Sequence, residues 1–349
     1  MPISKLGICV AAAALELGAQ SFVASTPRAS QRAAVTQRIA LTDITVTYHR
    51  PVAGGRKIWD GVIPYGQVWR AGANENTTIE FSDPVTVEGQ PLAQGTYGLH
   101  MIPSAESWTV IFSKNATSWG SFTYKQDEDA LRVTVKPQVS DLHEALTYDI
   151  DDLKPSSAVV TMRWEKLAVP FRVAVAPEVT AQNLRNQLRN LAAYSWQGWE
   201  EAASWCMSEK VNLDEALKWA DRSIQMEERF ENVVTRAGLL TLLNRGEEAA
   251  AARTRAAELG NAMQVYFYGR QLQTEKRKAD AIAVYRQVAK RFPTHWLGHM
   301  SQARVAVADG DFPKAAQEIR AAQPDAPEQQ KTNIENLLKR VQDREDING

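Results

Sequence analysis

From about Arg38 to Val175 apolar and polar residues alternate in short runs. The runs are "RIALTDITVTYHR", "NTTIEFS", "GTYGLHMIP", "SWTVIFSK", "LRVTVKPQV", "ALTYDIDDL", "AVVTMRWEKL" and "VPFRVAV". They are rich in Val, Ile, Thr and aromatics, and Gly, Pro, Asp or Asn marks most gaps. Alternation at period two sends successive side chains to opposite faces of a strand. Many such runs with no helical stretch between them predict an antiparallel sandwich or barrel. In the first run the expected core face is Ile39 and Leu41, then, past an irregularity near Asp43, Ile44, Val46 and Tyr48. After Pro177 the period changes. From "QNLRNQLRNLAAYSWQGWEEAASW" onward apolar residues recur every three or four positions, which is the mark of amphipathic helices.

The helical half repeats. "EALKWADRSI", "EEAAAARTRAA", "ADAIAVYRQVAKRFP" and "PKAAQEIRAAQPDAP" align on Ala216, Ala249, Ala281 and Ala315, in steps of 33, 32 and 34 residues. That is the period of a helix-turn-helix solenoid. Gly269 and Pro293 flank Ala281 at twelve residues on either side, Tyr285 follows it by four, and Pro327 follows Ala315 by twelve. In these placements the stretch from about Tyr194 to Pro327 resembles the tetratricopeptide repeat, although no unit shows the whole pattern and the first two lack the proline. "EQQKTNIENLLKRVQDRE" reads as the polar-faced capping helix such arrays need. The expected fold is therefore α+β in two segregated domains. A leader over 1–25 precedes an antiparallel β-sandwich over 26–176, and an all-α solenoid with a capping helix fills 177–349.

Length agrees, because 349 residues exceed what one core usually organises. Forty basic and forty-one acidic residues leave a net charge of -1, so no basic excess exists for binding nucleic acid. The N-terminus "MPISKLGICVAAAALELGAQSFVAS" has one lysine, an apolar run from Leu6 to Leu15 and then small residues, the layout of a secretory signal peptide, with Glu16 shortening its greasy segment. Export to the periplasm or medium is the expectation, and no segment is long and apolar enough for a transmembrane span. Removal of the leader takes Cys9 away and leaves Cys206 alone, expected to be a buried, inert thiol.

The stretch "GGRKIWDGVIPYGQVWRAGANENTTIEF", Gly54 to Phe81, carries two tryptophans, two arginines and an Asn-Glu-Asn triplet. Together with "RP" at Arg50-Pro51, "GTYGLHMIP", "WTVIFSKNATSWGSFTY", "LTYDI" and "MRWEKLAVPF", it resembles a bacterial, mostly exported β-sandwich domain family of unknown function. The resemblance runs from about Ser25 to Val175. It implies a sandwich, export and frequent fusion to helical repeats, and it implies no reaction.

Two readings of the residues stand side by side. In the first the stretch is a set of turns, with Trp59 and Ile63 inward around an Asp-Gly turn and Arg56 and Arg70 laid over indole faces. In the second it is a polar-aromatic site for a sugar, a carboxylate or a peptide terminus. Arg56, Arg70, Asn74, Glu75 and Asn76 would then stand beside Trp59 or Trp69, and Arg50 and His100 (or His49) could join them. The second reading requires Arg56, Arg70, Asn74 and Glu75 to converge on one pocket. Glycoside hydrolysis would need a carboxylate facing Glu75; Asp60 and Asp83, both in turns, are poor candidates, and no partner is assigned. No nucleophile elbow, ordered Ser/His/Asp set or phosphate-binding glycine loop occurs, so no catalytic residue is assigned. His295 and His299 in "HWLGH" lack a third ligand, and neither a metal nor another cofactor is expected. Trp196, Trp199, Trp205 and Trp219 read as helical core or as a seam against the sandwich. The function expected is non-catalytic binding, with the repeats docking a protein partner or a second copy through their concave face. The alternative is a carbohydrate- or peptide-binding, or even hydrolytic, sandwich built on the Arg56–Asn76 loops.

Overall fold

The structure, a computed structural model, describes residues 26–348. The expected leader and Cys9 lie outside that range. The N-terminal half holds ten strands: β1 Gln31–Ile39, β2 Thr42–Arg50, β3 Thr78–Phe81, β4 Val85–Val87, β5 Gln90–Leu92, β6 Gly95–Ile102, β7 Trp108–Ser113, β8 Asp129–Val135, β9 Gln138–Lys154 and β10 Ser157–Ala174. They form two antiparallel sheets, ordered β1-β2-β3-β6-β7-β8 and β5-β4-β10-β9. One apolar core lies between the sheets, joining Val46, Ile79, Leu99 and Phe112 of the first to Tyr148, Val160, Met162 and Phe171 of the second. Each such side chain, once buried, contributes about 1.5–3 kcal/mol.

The first expected strand is in fact a hairpin. β1 and β2 pair from Gln31↔Arg50 to Ile39↔Thr42, and the chain reverses at Ala40, whose φ is 51°. Leu41 therefore sits in the turn, half-buried, while Ile39, Ile44, Val46 and Tyr48 are buried as the alternation requires. "AVVTMRWEKL" and "VPFRVAV" merge into the single strand β10 despite Pro170. The strand pairs with β9 as far as Ala168 and with β4 only from Val173, so the proline falls between the two ladders, where its missing N–H is not needed.

The C-terminal half holds ten helices: α1 Pro177–Gln187, α2 Trp196–Glu209, α3 Leu213–Met226, α4 Phe230–Leu242, α5 Gly246–Leu259, α6 Ala262–Thr274, α7 Lys278–Arg291, α8 Trp296–Ala308, α9 Phe312–Ala322 and α10 Glu328–Gln342. The repeat alanines fall one each on α3, α5, α7 and α9, and all four are buried. Gly269 shows why a small residue recurs on the first helix of a pair. A Cβ there would lie 2.6 Å from the Tyr285 ring on α7. The array's interior falls into two apolar clusters that share Phe230 and Val234. Trp199, Trp205 and Trp219 belong to the first cluster, which is core of the array and not a seam against the sandwich. Cys206 is buried in the same cluster, and burial pushes its thiol pKa up to about 11.

Candidate functional site

Residues 51–77 contain no regular strand; isolated bridges such as Trp69↔Met101 pin this long excursion to the sandwich. It crosses the mouth of the core, where Trp59 meets Trp69, Trp108 and Trp164 edge-to-face, with centroids 5.9, 5.0 and 5.8 Å away. Trp69 stacks on Trp164 at 5.9 Å. The indoles thus cover one another, and no arginine takes their faces. Arg56 turns back instead, donating Nε to Ala53 O (2.9 Å) and Nη2 to Val52 O (2.5 Å). The arginine that does lie over an indole is Arg28, 5.3 Å from the Trp119 ring centroid. The expected stacking of Arg56 and Arg70 on Trp59 and Trp69 is therefore replaced by tryptophan–tryptophan packing.

The candidate residues separate into two neighbouring cavities. Arg56, Trp69 and Arg70 line the first, of about 510 Å³, together with Ile63, Val68 and Trp164. Glu75 and Asn76 line the second, of about 740 Å³, with Arg28, Arg32, His49 and Thr47. Ser30 borders both, so the backbone entering β1 is a partition between them. Asn74, in the left-handed region at φ 60°, holds that partition by donating Nδ2 to Ser30 O (3.2 Å). Arg56 and Arg70 therefore share a cavity that Asn74 and Glu75 do not enter.

In the second cavity Arg28 Nη1 reaches both Glu75 oxygens at 2.5 and 2.7 Å, and Glu75 lies 3.3 Å from His49 Nε2. The Arg28 hydrogen bond holds the Glu75 carboxyl below its usual range, and desolvation lowers the His49 pKa. Among the described residues no second carboxylate lines this cavity, so those facing Glu75 do not make a glycosidase pair. Asn76 donates Nδ2 to Asn115 O (3.2 Å).

The other candidates have structural partners. Arg50 clasps the two sheets, donating Nε to Leu146 O and Nη2 to Thr147 Oγ1, each at 3.0 Å. His100 lies in the middle of β6, on the face opposite Leu99 and Met101, and is buried against Ser121 Oγ (2.9 Å) and the Tyr124 ring. Burial drives its pKa down to about 4. His299 pairs with Glu318 at 2.8 Å, and His295 caps α8. Among the described residues no group of His, Cys, Asp or Glu could hold a metal ion. Sequence reasoning missed Trp164, about ninety positions along the chain, and Arg28, which adjoins the expected leader.

The repeats carry a separate surface. The first helices of successive pairs, α2, α4 and α6, line a cavity of about 550 Å³ that includes Met207, Val234, Leu242 and Gln271. A neighbouring cavity of about 340 Å³ runs over α6, α8 and α10 through Phe267, Arg270, Gln271, Trp296 and Ile334. Gln271 lines both, so the two adjoin at α6 as a track of neighbouring cavities across the repeats. Phe267 and Met263 stand more than half exposed on α6.

Residues 30–173 match the family described as "Protein of unknown function (DUF2911)". No curated protein matches the chain. Among solved structures, the chain is similar to the Cut9–Hcn1 hetero-tetramer of the APC/C (15% identity, TM-score 0.31, 47% of this chain and 32% of that one). It is similar also to YrrB, a TPR protein with an unusual peptide-binding site (15% identity, TM-score 0.29, 46% and 83% covered). A third is a tetratricopeptide repeat protein from Parabacteroides merdae ATCC 43184 (12% identity, TM-score 0.30, 48% and 70% covered). The repeat architecture rests on this chain's own helices and on the Gly269–Tyr285 packing. No described helix is long and apolar enough to cross a membrane.

Proposed function

We propose that the protein is a non-catalytic, exported binding protein whose helical repeats dock a segment of a protein partner in the cell envelope. The observation that carries this reading is the track over α2, α4, α6, α8 and α10, with Phe267 and Met263 exposed beside it. Soluble surfaces rarely leave large apolar side chains grouped along a groove without a ligand to cover them. Arg270, on the same wall, makes no side-chain ion pair among the described residues and can receive a partner's carboxylate or backbone carbonyl. The sandwich is then the rigid base from which the array is presented. Export is supported by the layout of residues 1–25 and by the resemblance of the sandwich stretch to exported domains.

The test is affinity capture from envelope extracts with the full-length protein and its Phe267→Glu variant. Phe267 is half exposed, so the fold tolerates the change, and the variant is expected to lose a defined partner that the parent retains. Identical captures by the two proteins would remove the groove from the function. Capture of a second copy of the chain, lost in the same variant, would identify the partner as the protein itself.

A further inference from the structure

The first sandwich cavity has an unusual balance of hydrogen-bonding groups. Two arginines, Arg56 and Arg70, line it, and among the described residues no carboxylate does. Arg70 is partly buried with no ion-pair or hydrogen-bond partner among the described residues, and its Nε is sealed from solvent without an acceptor. Trp164 is only 2% exposed, lines the same cavity, and its indole N–H likewise lacks an acceptor. Of the four clustered indoles, Trp69 and Trp108 donate to Gly72 O and Ser104 O, while Trp59 and Trp164 have no acceptor, and of these two only Trp164 lines the cavity. Buried polar groups without partners are rare and costly, and a half-buried cation without a counter-charge is more so. Burial accordingly depresses the basicity of Arg70.

The Arg56 guanidinium is fixed by its bonds to Ala53 O and Val52 O. Arg70 Nη1 lies against Gly120, whose own φ of +71° calls for glycine. The rest of the lining is mixed, with Ile63, Val68 and Trp69 forming its apolar part beside Ser30 and Gln67. A volume of about 510 Å³ is that of a small-molecule site.

We propose that this cavity is a binding site for a small organic carboxylate with an apolar body, the carboxylate received by Arg70, Arg56 and the Trp164 N–H and the body lying against Ile63, Val68 and Trp69. A carboxylate supplies the acceptors that Arg70 and the Trp164 N–H lack, and an apolar body suits the part of the lining formed by Ile63, Val68 and Trp69. A neutral sugar, which presents as many donors as acceptors, is a poorer match. The site is independent of the repeat groove, so failure of either leaves the other standing.

The experiment compares octanoate with octanamide by calorimetry and by tryptophan fluorescence, using the full-length protein. Octanoate is expected to bind at least tenfold more tightly than octanamide and to perturb the fluorescence of the indole cluster. Arg70→Met should abolish that preference while leaving the weak binding of octanamide. Trp164→Phe should weaken octanoate several-fold. If Arg70→Met fails to fold, Arg56→Gln replaces it, with the same loss of preference expected. Equal affinity for acid and amide, or no octanoate binding up to millimolar concentration, would overturn the proposal without reference to any variant. So would an octanoate preference that survives in a folded Arg70→Met protein.

Discussion

The same substitution, Gly to Ala, should have opposite signs at two positions of the array. In a helix alanine is favoured over glycine by about 1 kcal/mol, because glycine loses more backbone freedom on folding. Gly246 opens α5, and a Cβ added there would meet nothing within 4 Å, so Gly246→Ala should stabilise by up to about 1 kcal/mol. Gly269 is in the middle of α6, and its Cβ would lie 2.6, 2.9 and 3.1 Å from three atoms of the Tyr285 ring. Tyr285 cannot swing away: it is fully buried, with its hydroxyl donated to Gln273 Oε1 at 2.9 Å. Overpacking of this kind costs about 1–3 kcal/mol, which outweighs the propensity gain. Gly269→Ala should therefore destabilise. Urea unfolding of the array followed by circular dichroism at 222 nm reads both variants against the parent. Combining Gly269→Ala with Tyr285→Leu should recover part of the loss, since the two sites share one contact. Stabilisation by Gly269→Ala equal to that by Gly246→Ala would refute the small-residue-to-aromatic packing on which the repeat assignment rests.

His100, with a pKa near 4 in the fold against 6.5 unfolded, binds a proton more readily when unfolded, so its contribution to stability falls as pH drops from about 6.5 to 4. The difference is of order 3 kcal/mol. His100→Gln should flatten the pH dependence of sandwich stability in that window, and an NMR midpoint near 6.5 for His100 would contradict the burial argument. Cys206, with its pKa pushed up to about 11, should react with iodoacetamide at pH 8 about 100-fold more slowly than a peptide cysteine, as read by mass spectrometry of its own peptide. Rapid labelling of the native protein would show the thiol accessible.

The periodic parts of the fold were legible because they rest on packing rules that act locally. Ala216, Ala249, Ala281 and Ala315 recur because paired helices approach closely at those points, and any larger side chain would push them apart. The alternation of Ile44, Val46 and Tyr48 marked β2 for the same reason. The reversal at Ala40 was hidden, since alanine rarely takes positive φ and gives no turn signal. The three-residue strands β4 and β5, meeting at Glu88-Gly89, were too short to register as alternation. At the site, sequence proximity misled. Arg70, Asn74 and Glu75 are neighbours along the chain, yet the positive φ at Ala71 and Asn74 turns the backbone between them, so Arg70 lines one cavity, Glu75 the other, and Asn74 neither. Conversely Trp164 and Arg28 complete those cavities from distant segments, and no local pattern announces such a meeting.

The central claim, that the repeats dock a partner along the α2–α4–α6–α8 track, is tested most directly by placing a photo-crosslinking residue at Phe267 and, separately, at Lys290, exposed on α7 and outside the track. Irradiation of intact cells should yield a discrete crosslinked species from position 267 and none from position 290. Equal crosslinking from both positions, or none from 267, would contradict the account.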